Sequence, residues 1–145
     1  MGIAAFVKVA REITFANTLD TRAITSMQTI AGTGANHFIA ELASIVLKPK
    51  TVWFSDPSWD NHTKIWTAAD STIEQRFYPY YNAETSAIDA EGLLSMLRAE
   101  AKQGDVIVLQ ACAHNPTGLD PSRELWKAIG EVVVEKGLFP VFDSA

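Results

Sequence analysis

Ala31-Gly32-Thr33-Gly34, Asp56-Pro57-Ser58-Trp59-Asp60-Asn61-His62, His114-Asn115-Pro116-Thr117-Gly118 and Asp143 are the places where this chain gathers residues equipped for chemistry. A glycine turn opening a helix offers backbone N–H groups and the positive end of a helix dipole to a phosphate, and Thr33 adds a hydroxyl donor. The same turn serves equally well as a tight entry to a helix. It is no P-loop, since Gly-Lys-Ser/Thr does not follow, and His37 stands where a dinucleotide fingerprint needs its third glycine.

Trp59 sits between a proline turn and a polar helix start, where its ring can face an aromatic ligand or fill the core. Asn115 follows an apolar strand almost directly, and its amide can serve a ligand as donor or acceptor. Asp143 closes another apolar strand. A carboxylate at the edge of a core costs free energy unless a cation or several donors face it, so Asp143 needs a partner. His37, His62 and His114 lack metal-ligand spacing and read as hydrogen-bonding or structural. Cys112 shares a strand face with His114 if the strand continues that far, but no third residue orients the pair. Cys112 therefore reads as a small buried residue.

The elements that carry these clusters follow from periodicity. Ile3, Phe6, Val7 and Ala10 predict a short helix over 2–13. Alternation over 23–30 predicts a strand entering the glycine turn, and Ala35, Phe38, Ile39, Leu42, Ile45 and Val46 predict a helix with those residues buried. Strands are expected at 50–54, at 73–81 as an exposed or edge strand, at 105–109 and at 138–142. Helices are expected at 60–69, from an Asp89 cap to Ala101 with Gly104 closing it, and from Pro121 to Gly137. Strand and helix alternate, with connections long enough for crossovers. The fold class is α/β, a mostly parallel sheet flanked by helices. In such sheets ligands bind beyond the carboxyl ends of the strands, where the clusters fall.

Bulk properties narrow the function. The chain has 145 residues, 48% apolar and 20% charged, a globular composition. A net charge of −5 gives no basic footprint for nucleic acid or anionic lipid. Cys112 is the only cysteine, so an internal disulfide is impossible and a reducing compartment is expected. No apolar run is long enough to span a membrane, and no targeting segment is read at the first residues.

In order and interval, the clusters Asp56-Pro57-Ser58-Trp59-Asp60-Asn61-His62, Ala111-Cys112-Ala113-His114-Asn115-Pro116-Thr117-Gly118 and Phe142-Asp143-Ser144-Ala145 resemble the aspartate aminotransferases, fold-type I enzymes that use pyridoxal 5′-phosphate (PLP). The resemblance runs along essentially the whole chain. It implies that residues 1–145 are a partial PLP-binding large domain, with the small domain and the catalytic-lysine segment absent. It implies that Ala31, Gly32 and Thr33 cradle the cofactor phosphate and that Trp59 stacks on the pyridine ring and donates toward a substrate carboxylate. Asn115 would bond the cofactor's phenolic oxygen and help hold the substrate carboxylate. Asp143 would face the protonated pyridine nitrogen, and His62 would support Asp143. The peptide bonds before Pro57 and Pro116 are candidates for the cis form.

The same resemblance implies the exchange of an amino group between L-aspartate and 2-oxoglutarate, giving oxaloacetate and L-glutamate, in a homodimer. Aromatic amino acids stay open as donors. The Schiff-base lysine of the family follows a serine beyond the position of Asp143. None of Lys8, Lys48, Lys50, Lys64, Lys102, Lys127 and Lys136 fits that place, so no catalytic residue is expected among these residues. The alternative is a non-catalytic piece that retains PLP or partner-chain binding. No nucleic acid and no membrane is expected as a partner, and the location is expected to be cytoplasmic, with mitochondrial as the alternative.

Overall fold

The computed structural model describes residues 2–15, 20 and 23–145, which form two compact units, Met1–Ala35 and Asn36–Ala145. The first unit holds helix α1, Ala4–Phe15, two residues later at each end than its periodicity predicts. The strand expected over 23–30 does not form: residues 24–29 have no regular structure and belong to no sheet. β-Branched alternation favours a strand only where a neighbour supplies the ladder. Here Gln28 instead accepts from the Ile3 N–H at 3.0 Å, and the Thr29 hydroxyl donates to the Ala31 carbonyl.

Helix α2, Ala31–Val46, absorbs the glycine turn as its first turn, with Ala31 in the left-handed region at φ 53°. Its buried residues are not the expected stripe. Asn36, Ala40 and Ala43 are buried, while Phe38, Leu42, Ile45 and Val46 are exposed. Spaced i, i+4 and i+7, the three buried residues form one helix face, and the small alanines let the helix backbone come close to the sheet. The bulky apolar residues fall to other faces. Hydrophobicity alone does not reveal which of two apolar faces meets the sheet.

In the second unit the strands are β1 (Thr51–Asp56), β2 (Glu74–Pro79), β5 (Val106–Gln110) and β6 (Phe139–Asp143). They form one sheet in the order β2-β1-β5-β6, and every pairing is parallel. The expected edge strand is β2, and the strand carrying Asp143 is the other edge. A short antiparallel pair, β3 (Tyr81–Asn82) and β4 (Ala87–Ile88), was not legible as strands. Helices α3 (Asp60–Ala69), α4 (Ala90–Glu100) and α5 (Arg123–Lys136) complete the fold.

Alternation along the strands sends side chains to two cores. Trp53, Ile107 and Leu109 pack with Leu93 and Leu97 of α4 and with Ile129 and Val132 of α5. Val52, Phe54, Val106, Val108 and Val141 pack with Ala40 and Ala43 of α2 and with Ile65 and Trp66 of α3. Strands covered on both faces read as continuous apolar runs, as β5 does over Val106-Ile107-Val108-Leu109, while β1 carries Val52-Trp53-Phe54 between polar residues. The helix ends are set locally. Asp89 caps α4 by accepting from the Gly92 N–H at 2.8 Å. Ser122, one residue after Pro121, caps α5, and Gly137 ends it at φ 64°, a left-handed conformation that suits glycine.

Candidate active site

Parallel strands bring their carboxyl ends to one side of the sheet. There the segment after β1 carries Trp59 and His62, the loop after β5 carries Asn115, and β6 ends on Asp143. Gln110 and Asp143 are paired in register, and the Ala111 N–H donates to the Asp143 carbonyl at 2.7 Å. Both Asp56-Pro57 and Asn115-Pro116 are cis.

His62, 1% exposed on the first turn of α3, lies 2.8 Å from Asp143 through Nε2 and 3.1 Å from Ser58 Oγ through Nδ1. An ionised carboxylate only accepts, so the His62 proton sits on Nε2. In the neutral ring Nδ1 then accepts from the Ser58 hydroxyl. The His62 bond holds the Asp143 carboxyl below the usual carboxylate range, and a second bond from Asn36 acts the same way. Asp143 is thus a half-buried, ionised carboxylate with two protein donors, suited to hold a cationic ring nitrogen.

Trp59 meets the His62 ring edge-on, with centroids 5.2 Å apart. Among the described residues its indole N–H has no hydrogen-bond partner, and neither has the carboxamide of Asn115. Asn115 is held through its backbone instead: its N–H donates to Gln110 Oε1 at 2.8 Å and its carbonyl accepts from Gln110 Nε2 at 3.0 Å. The structure therefore brings Trp59, His62 and Asp143 together through His62 and ties the Asn115 backbone to the residue paired with Asp143. Ala31, Gly32 and Thr33 belong to the first unit. There they open α2, and a Cβ on Gly32 would meet no atom within 4 Å.

Beneath Asn115 lies a group that the sequence left as merely structural. His114, 2% exposed, stacks on Tyr80 at 3.9 Å and bonds Ser55 Oγ through Nε2 and Thr117 Oγ1 through Nδ1. Tyr78 donates to the Val108 carbonyl at 3.0 Å. Each ring nitrogen of His114 faces a hydroxyl, a group that can donate or accept. Both ring nitrogens are therefore satisfied with the imidazole neutral. Burial lowers the His114 pKa, in agreement with that state. Asp120 completes the turn by accepting from the Ala113 and His114 N–H groups.

Cys112 and His114 do not share a strand face, because β5 ends at Gln110; Cys112 is exposed while His114 is buried. Asn36 escaped sequence reasoning as a partner of Asp143. Its signal was present, as a polar residue on the α2 face occupied by Ala40 and Ala43. Among the described residues no cluster of His, Cys, Asp and Glu is arranged for a metal, and no helix is long and apolar enough to cross a membrane.

The family model for aminotransferase class I and II matches residues 2–145. The chain belongs to that family. Among aminotransferase relatives, an L-tyrosine:2-oxoglutarate aminotransferase of Aspergillus ustus is 47% identical over 99% of this chain and 29% of its own length. An aspartate aminotransferase of Salmonella typhi is 43% identical over 99% of this chain and 36% of its own. The crystal structure of aspartate aminotransferase from Trypanosoma cruzi superposes with a TM-score of 0.92 at 37% identity, covering 99% of this chain and 36% of that one. This aminotransferase chain thus spans about a third of the length of the relatives it matches.

Proposed function

We propose that these residues are part of the large domain of a PLP-dependent enzyme that exchanges an amino group between L-aspartate and 2-oxoglutarate. The observation that carries the reading is Asp143, kept ionised at the end of β6 by His62 and Asn36. When bound, PLP supplies an electron sink for the negative charge left as an α-proton departs, and it does so best with its ring nitrogen protonated. Asp143 gives that nitrogen a counter-charge. His62 fixes the carboxylate's orientation and denies it a proton of its own.

Trp59 and Asn115 are the groups this reading places against the cofactor ring and the substrate carboxylate. Support comes from their polar atoms, which have no protein partner among the described residues. An indole N–H and a carboxamide are neutral donors, so they orient a carboxylate without competing with Asp143 for charge. Ala31, Gly32 and Thr33 would hold the phosphate by backbone N–H groups and the Thr33 hydroxyl at the α2 N-terminus. The residues fit the cofactor by the chemistry of this donor set. No proton-transferring residue is assigned among residues 1–145. A homodimer belongs to the same reading, as does a cytoplasmic location with mitochondrial as the alternative.

An aromatic amino donor is the second reading, favoured by the 47% identity to the Aspergillus ustus enzyme, whose name specifies L-tyrosine. The test is an assay of the full-length protein with PLP and 2-oxoglutarate, following glutamate formation with aspartate or tyrosine as donor. Faster turnover of aspartate is expected. A clear preference for tyrosine would favour the second reading, and no transfer from either would sink both.

A further inference from the structure

We infer that Gln110 is a positioning residue, a carboxamide clamp that presents the side chain of Asn115 to the ligand; this rests on the reading of Asn115 as a cofactor contact. Gln110 is the last residue of β5, so its backbone is fixed by the sheet and paired in register with Asp143. Its side chain makes two bonds to one residue, accepting from the Asn115 N–H at 2.8 Å and donating to the Asn115 carbonyl at 3.0 Å. Two antiparallel bonds to the same backbone unit copy the exchange made by a hydrogen-bonded pair in an antiparallel ladder. They fix both the position and the rotation of the Asn115 backbone.

The clamp matters because Asn115 is exposed and its own carboxamide has no protein partner among the described residues. A side chain with nothing else to hold it takes its direction from its backbone. His114 and Asp120 anchor the turn on either side, but only Gln110 bonds the backbone of Asn115 itself from a strand end. Gln110 thereby couples Asn115 to the strand pair that ends on Asp143. It touches neither cofactor nor substrate in this account. Its contribution is preorganisation, which limits the ordering cost of binding.

The experiment is a titration of full-length protein with PLP, followed by tryptophan quenching and by the visible absorbance band. Wild type, Gln110→Leu, Gln110→Glu, Asn115→Ala and the Gln110→Leu/Asn115→Ala double variant are compared. Losing the two bonds weakens PLP binding by about tenfold and shifts the band in the same direction as Asn115→Ala. Glutamate keeps the acceptor for the Asn115 N–H but cannot donate to the carbonyl, so Gln110→Glu falls between wild type and Gln110→Leu. It also serves if Gln110→Leu fails to fold. The double variant binds no more weakly than Asn115→Ala, because the clamp acts only through Asn115. Additive losses, or a Gln110→Leu variant with wild-type affinity while Asn115→Ala is weakened, overturn the clamp and leave the role of Asn115 standing. Wild-type affinity and an unshifted band in Asn115→Ala overturn the underlying reading, and the clamp with it.

Discussion

His62 Nε2 lies 2.8 Å from Asp143 Oδ2, joining the first turn of α3 to the last residue of β6 across 81 positions of sequence. The bond is the largest of the influences that keep the Asp143 carboxyl below the usual range. Replacing His62 with leucine removes it and leaves Asn36 as the remaining side-chain donor. The Asp143 pKa then rises, measurable by carbon-detected NMR of the carboxyl. In wild type this depressed carboxyl adds stability at pH values above its ordinary 3.8, stability that is lost as the pH falls through the folded value. His62→Leu shrinks that contribution, so acid unfolding starts at a higher pH.

His114 has the opposite charge logic. Its pKa is lowered from 6.5 by burial, so below pH 6.5 the unfolded chain binds the proton more readily than the folded one. Stability is full above 6.5 and falls as the pH drops toward the folded value. Urea midpoints measured from pH 8 downward decline through this window, and His114→Gln flattens the decline. A wild-type midpoint that stays level from pH 7 to the onset of carboxylate titration contradicts the neutral, buried imidazole.

Asp89 caps α4 through the Gly92 N–H. Asp89→Ala leaves that donor to water and costs about 1 kcal/mol in urea unfolding. An unchanged midpoint would mean that the side-chain cap adds nothing.

Leu97 is fully buried in the cluster formed by Trp53, Ile107 and α5 residues. Leu97→Ala removes about 2–5 kcal/mol by the combined loss of transfer energy and creation of a cavity. Val134, 82% exposed on α5, is the control, since Val134→Ala changes stability by less than about 0.5 kcal/mol.

Much of this fold is legible in the sequence because the central strands β1 and β5 are buried on both faces and helices α4 and α5 carry strong end signals. The run Val106-Ile107-Val108-Leu109 and the pair Asp89 and Gly137 needed no tertiary information. Residues 23–30 misled because β-propensity records how a side chain suits a pleated surface and not whether a neighbouring strand exists. The burial of α2 misled for a related reason. Ala40 and Ala43 carry little hydrophobic signal, yet their smallness decides which face approaches the sheet.

The candidate site was legible where residue types are costly to place without a partner. Asp143 at the end of an apolar strand and the polar clusters after β1 and β5 stood out on that ground. Asn36, Gln110 and Ser55 did not, because each acts through a geometry that exists only after the strands are aligned. Their side chains are unremarkable in composition and in period.

The most direct measurement of the central claim is the affinity of the full-length protein for PLP with and without the Asp143 carboxylate. Wild type is expected to bind PLP with a visible band and quenched tryptophan emission. Asp143→Ala weakens binding by about tenfold or more, since a charge-assisted bond and its counter-charge are lost together. Asp143→Glu keeps part of the affinity. An Asp143→Ala variant that folds and binds PLP as tightly as wild type, with the same absorbance, would contradict the account.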